Sequence, residues 1–309
     1  MRTRTWSRRT LSAAAAGIVG AGLLVGGNGA ASAQEPLPDD ALILHYDFED
    51  GQVADAAIDD LSPRGLDGIL INPASADAVE GRAPGTTALR LPGGASTSTT
   101  ASYVSIPNGL FAEASAMTVS AWVKWDGGAD FQWLYNLGRD KDAATFFTPS
   151  FQGDGRSRSS IKPVNGTAEV GVQGAAALEA GAWQNVTTTI DGSTITFYLD
   201  GVKVGSQAAS LDLDTVMHNA GGTASGYLGK AFWAGHPFFS GAIDDFRVYD
   251  TALDATQVAT LVAEGAPEID SLVSDELEVR TTVGVAPELP VAVAARHADG
   301  ITRGALVAW

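Results

Sequence analysis

Short stretches of alternating apolar and polar residues, each bounded by glycine, aspartate or serine, recur through most of this chain. They include LILHYDF at 42–48, ALRL at 88–91, YVSI at 103–106, MTVSAWVKW at 117–125 and FQWLYNLG at 131–138. AEVGVQ at 168–173, WQNVTTTI at 183–190, TITFYLDG at 194–201, GYLGK at 226–230 and AIDDFRVY at 242–249 continue the series. A period of two turns one face of a strand inward and the other outward, and many such strands at short spacing indicate a sandwich or barrel. The clearest local unit is 183–205, where Asp191-Gly192 and Asp200-Gly201 supply two hairpin turns and predict a three-stranded antiparallel meander.

One segment has a helical period instead. In 250–265 Asp254 is placed to cap, Gln257 stands three residues on, Val258, Leu261 and Val262 share a face, and Gly265 can end the turn. These features predict a short closing helix for a domain spanning 41–265. Residues 266–278 read as an acidic linker, and 279–309 alternate again, punctuated by Pro287 and Pro290. Thirty-odd residues are too few for an ordinary β-sandwich, so this tail is expected to be part of a second β-domain.

Arg2, Arg4, Arg8 and Arg9 precede an Ala/Gly-rich apolar run that ends in Ala31-Ser32-Ala33, the pattern of a cleaved export signal over residues 1–33. Ser7-Arg8-Arg9-Thr10-Leu11 fits a twin-arginine leader, and a general secretory signal fits as well. The expected location is therefore extracellular. A membrane span needs ~20 strongly apolar residues, which this run does not supply. Removal of residues 1–33 takes away four of the 19 Lys+Arg and none of the 36 Asp+Glu, leaving 15 against 36 and a formal charge of −21. Such a surface excludes nucleic acid as an expected partner and attracts dissolved cations. Cysteine is absent, so neither disulfides nor thiolate metal sites brace the exported fold.

The order of motifs resembles the laminin G-like, concanavalin A-like jelly-roll modules of secreted bacterial proteins. HYDFEDG at 45–51, DLSPRGLDG at 60–68, ALRLPGG at 88–94 and MTVSAWVKW at 117–125 carry the resemblance, followed by 183–204, YLGK at 227–230 and GAIDDFRVYDTALDATQV at 241–258. It implies an all-β jelly-roll sandwich with the short closing helix. The tail is similar to the opening half of a bacterial immunoglobulin-like domain, a partner of such modules in actinobacterial glycoside hydrolases. Modules of this kind often hold a structural calcium ion (Ca2+). Carried over, its ligands are Glu49, Asp60 and Asp244 or Asp245. Calcium takes about 6–8 oxygens in tolerant geometry and would relieve the repulsion between the paired aspartates. The alternative is that one aspartate faces solvent while the other caps a turn or meets Arg247 or Lys230. Asp47, Asp50, Asp55 and Asp59 crowd the same region.

Catalytic signatures are missing. Glu268-Ile269-Asp270-Ser271-Leu272-Val273 is the nearest string to the ExDxxE strand of laminarinase-like enzymes of this fold, and it fails at its last position. No GxSxG, HExxH or cysteine nucleophile occurs, and His45, His218, His236 and His297 lack ligand spacing. Glycan binding remains, since sugar C–H faces pack on exposed rings. Two loop-like aromatic groups are candidates: Phe146, Phe147 and Phe151 before the polar run holding Asp154, Arg156 and Arg158, and KAFWAGHPFF at 230–239. Trp233, between glycines and a proline, is the leading candidate, with His236 beside it. Trp122, Trp183, Phe197 and Phe246 are expected in the core. The function expected is a non-catalytic accessory module that binds a polysaccharide or cell-surface glycan for a polysaccharide-degrading protein. The rival readings are an adhesion, protein-interaction or spacer module, and a glycoside hydrolase working through the jelly roll itself.

Overall fold

The period-two segments pair antiparallel throughout the described residues. In the computed structural model these are 36–49, 51–111, 115–153, 155–163, 168–209, 213–217, 224–273 and 289–307. The expected leader at 1–33, together with Asp50, Asp154, His218, Pro287 and Trp309, lies outside them.

In chain order the strands are β1 (Leu42–Tyr46), β2 (Ala57–Ile58), β3 (Gly68–Ile71), β4 (Asp77–Glu80), β5 (Thr87–Gly94), β6 (Tyr103–Pro107) and β7 (Met117–Trp125). Then come β8 (Tyr135–Asp140), β9 (Ala143–Phe151), β10 (Arg156–Lys162), β11 (Val170–Gln173), β12 (Trp183–Ile190), β13 (Thr194–Leu199) and β14 (Val202–Ala208). β15 (Ala224–Leu228) and β16 (Phe238–Tyr249) complete the main domain, and β17 (Ile269–Leu272), β18 (Ala292–His297) and β19 (Thr302–Leu306) follow. Three helices accompany them: α1 (Gln52–Asp55), α2 (Leu213–Met217) and α3 (Ala255–Val262).

Two sheets face each other. The front sheet runs β14-β13-β12-β7-β16-β5-β4, with β1 also paired to β16, and the back sheet runs β11-β10-β9-β8-β15-β6-β3-β2. Between them lies one core fed by alternate residues, among them Val119, Ala121 and Val123 of β7, Phe246 and Val248 of β16, and Tyr135, Phe147 and Ile161 of the back sheet. The predicted meander is present, with β12, β13 and β14 in antiparallel register. Asp200 (φ 53°) and Gly201 (φ 78°) take the paired positive φ of a two-residue hairpin turn, which is what the Asp-Gly step is suited to. Trp122, Phe197 and Phe246 are buried as expected, whereas Trp183 is half-buried against the outer side of the front sheet.

α3 begins as predicted. The Asp254 carboxylate accepts the N–H groups of Thr256 and Gln257, and the Gln257 amide oxygen accepts the Asp254 N–H. Its apolar face, Val258, Leu261 and Val262, packs with Trp122, Tyr198 and Tyr249 on the outer side of the front sheet. Residues 269–272, expected within a linker, instead form β17, which pairs with β18. The sheet β17-β18-β19 lies against α3, and Gly304 meets the Gly201 turn so closely that a Cβ would fall 2.9 Å from Gly201 backbone atoms.

Phe146, Phe147 and Phe151, expected as a loop-like group, instead lie in β9, which forms a hairpin with β10. Every residue of β9 is buried, because the back sheet is covered on both sides there. Phe147 enters the main core while Phe146 joins Trp133 and Ala231 on the outer side.

Candidate functional site

The paired aspartates fall at a β-bulge. The register of β16 against β7 shifts between Asp244 and Arg247, and Asp245 takes φ 51°. One extra residue resets the alternation, so Ile243, Phe246 and Val248 all reach the core while the intervening carboxylates turn away from it. The two acids then diverge. Asp245 Oδ1 lies 2.7 Å from His45 Nε2 and 2.8 Å from Arg247 Nε, and its Oδ2 lies 3.4 Å from Arg82. Burial acts to raise this carboxyl, but the His45 hydrogen bond and the Arg247, His45 and Arg82 charges hold it well below the usual carboxylate range. Arg247 also pairs with Glu264 at 2.7 Å, tying the network to the end of α3. Of the two alternatives drawn from sequence, the contact to Arg247 is present, and Lys230 is occupied elsewhere, over Tyr103 and Tyr227.

Asp244 accepts the Arg82 N–H at 2.9 Å. Burial pushes it up to about 7, and the Asp245 and Glu49 charges add to the rise. Glu49 accepts the Thr87 N–H at 2.8 Å. Asp60 is a turn organiser: Oδ1 accepts the N–H of His45 and Ser62, and Oδ2 accepts Ser62 Oγ and the Leu66 N–H. The four acids singled out from sequence therefore gather around the end of β1, linked through His45 and through the Asp244–Asp245 step. Among the described residues no three His, Asp or Glu form a metal-holding group. Protein donors engage both oxygens of Asp60 and Asp245, whereas they reach Oε1 of Glu49 and Oδ2 of Asp244, which makes the second oxygens of Glu49 and Asp244 the better donors to a cation. Glu49 and Asp244 are drawn from separate elements, and the Glu49 charge adds to the rise at Asp244, a repulsion that a divalent ion would relieve.

A second constellation lies on the outer side of the back sheet. Trp233 stacks on Trp133 with centroids 4.9 Å apart and planes at 17°. His236 stacks on Trp133 at 5.5 Å and on Phe131 at 4.6 Å. The Trp133 indole N–H donates to His236 Nδ1 at 2.8 Å, and Phe146 backs both tryptophans edge-on. This wall lines an open pocket of about 210 Å³. Opposite it stand Phe151, Lys162 and Glu169. The Arg158 guanidinium lies over the Phe151 ring at 4.4 Å and pairs with Glu169 at 2.9 Å. Gly171 leaves space for Arg158 to lie across the sheet: a Cβ there would come within 2.5 Å of Arg158 Nε and Ser160 Oγ. Arg158 Nε, Thr148 Oγ1 and Ser160 Oγ are buried and have no hydrogen-bond partner.

The structure thus joins Trp233, His236 and Arg158 in one neighbourhood and leaves Trp233 half-buried with one face supported. Arg156 lies exposed at the start of β10 and does not line the pocket. Phe131, Trp133, Lys162 and Glu169 were not singled out from sequence. The polar alternation Arg158, Ser160, Lys162 would have marked one face of β10.

Two sheets stacked face to face over one apolar core define a lectin-like β-sandwich. Residues 98–259, more than half the chain, match the family model described as the Concanavalin A-like lectin/glucanases superfamily, and the chain belongs to that superfamily. None of the curated proteins compared with it matches. Among solved structures, domain 4 of a GH43 extracellular arabinanase from Geobacillus stearothermophilus, in complex with arabinotriose, is similar at TM-score 0.53 and 21% identity, covering 72% of this chain and 98% of that one. The binding domain of Paraclostridial Mosquitocidal Protein 1 is similar at TM-score 0.53 and 17% identity, over 75% of this chain and 55% of that one. The binding domain of botulinum neurotoxin DC, in complex with rat synaptotagmin II, is similar at TM-score 0.52 and 11% identity, over 75% of this chain and 54% of that one. This chain spans about half the length of each toxin domain. At these identities the likeness establishes the jelly-roll fold.

Proposed function

We propose that this chain is an exported, non-catalytic carbohydrate-binding module that seats a glycan against Trp233 and serves a polysaccharide-degrading protein. The observation that carries the reading is the stacked wall of Trp233, Trp133 and His236, which shares an open pocket with Lys162 and Glu169. A sugar ring offers a C–H face to an aromatic plane and hydroxyls at its edge. The Lys162 ammonium supplies donors, and the Glu169 carboxylate accepts a hydroxyl proton. The arabinanase domain with bound arabinotriose supports the reading as a relative of the same fold. The toxin domain in complex with rat synaptotagmin II, of which 54% is matched by this chain, supports a protein-binding role as the second reading.

Calcium belongs to the same proposal, held by Glu49 and Asp244. There it would supply charge neutralisation and no chemistry on the glycan.

Isothermal titration of the whole chain with arabinan, xylan, β-glucan and galactan oligosaccharides tests the reading. At least one should bind, and Trp233→Ala should weaken it tenfold or more while the melting temperature moves by no more than a few degrees. Binding unaffected by the substitution would remove the pocket from the reading. Release of reducing sugar by the wild-type chain would overturn the non-catalytic role.

A further inference from the structure

The geometry points to a second site on the same sheet face, at Lys230, for the oxyanion of an acidic sugar unit; the inference rests on this face binding glycan. Gly229 fixes where the lysine emerges. At φ 81° it sits so close to Leu91 that a Cβ would fall 2.4 Å from Leu91 Cδ1, and its N–H and C=O bond Leu134 and Phe239. The Lys230 ammonium is thereby held 4.3 Å from the Tyr103 ring centroid and 4.7 Å from that of Tyr227. Phe232 meets Tyr227 edge-on at 5.4 Å, and Phe238 lies tilted on Tyr103 at 5.9 Å. The two tyrosines stand at 88° to each other, 5.5 Å apart, so two rings face the cation and the two phenylalanines buttress them.

Among the described residues no carboxylate joins the cluster. Among the described residues Lys230 forms no ion pair, and neither tyrosine hydroxyl makes a hydrogen bond. The chain holds 36 acidic residues against 19 basic ones, so this is not for want of carboxylates. Lys124 and Lys203 are exposed and their charges are solvated, whereas Lys230 is half-buried among rings. Cation–π attraction offsets part of the desolvation, about 0.5–2 kcal/mol in general, and leaves the remaining ammonium protons unsatisfied. A sugar carrying a carboxylate or sulfate would meet the ammonium and the tyrosine hydroxyls with its oxyanion and lay its ring on Phe232 or Phe238. A neutral sugar would shield the charge without pairing it.

The site adjoins the pocket without sharing its residues. Asn136 of β8 stands opposite Tyr227 on one side and Phe146 on the other, and its amide oxygen accepts the Phe232 N–H at 2.7 Å. The loop from Lys230 to Phe238 crosses this line, giving Phe232 and Phe238 to one cluster and Trp233 and His236 to the other.

The test is an NMR titration of the whole chain at constant ionic strength with glucuronate, its neutral methyl ester and glucose 6-sulfate. Glucuronate should shift the Lys230 amide and the Tyr103 and Tyr227 ring signals, with the ester at least tenfold weaker. Lys230→Gln should abolish the preference and Lys230→Arg should keep it. A matching response to glucose 6-sulfate assigns the site to sugar oxyanions generally; no response to it restricts the site to carboxylates. Equal shifts by acid and ester, or a preference that survives Lys230→Gln, would overturn the site. The Trp233 indole N–H reports the pocket separately. An indole shift with the arabinan, xylan, β-glucan or galactan oligosaccharides but none at Lys230 with the acids defeats this inference alone, a Lys230 shift with the acids but no indole shift with any of those oligosaccharides defeats the pocket alone, and silence at both defeats both.

Discussion

The hydrogen bond between Trp133 and His236 sets the charge of the aromatic wall. An indole N–H only donates, so His236 Nδ1 must be unprotonated and the ring neutral, with its proton on Nε2. Burial lowers the pKa of His236, in the same sense. A histidine whose folded pKa lies below its unfolded value of about 6.5 contributes stability above that value, and the contribution is lost as pH falls through the folded pKa. Lys162 and Glu169 line the same pocket, and protonated His236 would meet both while losing the indole. Glycan affinity measured from pH 7.5 to 4.5 should therefore fall on the acid side, and His236→Gln should flatten the profile; an unchanged profile would separate binding from this bond. Trp233 and His236 were legible in the sequence because they stand outside any alternating run. Trp133 and Phe131 were not, because FQWLYNLG reads as one uninterrupted strand. The chain turns within it, with Phe131 at φ 60° and both Leu134 and Tyr135 in the core, so the rings before the turn leave the face that alternation assigns them.

Strands and helix were legible wherever one face met water. α3 and the β12–β13–β14 meander follow their caps and turns, since Asp254, Asp191-Gly192 and Asp200-Gly201 act through local backbone geometry. β9 was hidden because a strand covered on both faces has no period to read. The acidic cluster was legible as a neighbourhood, from the order of its motifs. The division of labour within it depends on the bulge in β16, which spacing does not reveal. Glu49 follows β1 and Asp244 lies in β16, so a cation between them would fasten the turn after β1 to the middle of the front sheet. Calcium added to EDTA-stripped protein should raise the melting temperature by several degrees at pH 7.5, and Asp244→Asn should remove most of that gain. Equal melting curves with and without the ion would end the calcium proposal.

At the scale of the whole molecule, the small β17-β18-β19 sheet is docked and does not hang free. Arg303 has 0% exposure; it forks onto Asp299 at 2.6 and 3.0 Å and lies over the Trp122 ring at 5.4 Å. The Trp122 indole also faces Arg82 at 5.1 Å, so the tail arginine shares a ring with the network around Asp245. Removing one partner of a buried, hydrogen-bonded pair generally costs about 3–5 kcal/mol. Arg303→Ala should speed amide exchange in β18 and β19 by a hundredfold or more while β7 and β12 stay protected. Uniform loosening would mean that tail and sandwich unfold as one unit. The docked tail and α3 occupy the outside of the front sheet, and the aromatic pocket opens on the outside of the back sheet. Contact with an extended, insoluble surface through the rings would turn the helix-bearing side toward solvent, leaving that side accessible however crowded the substrate becomes.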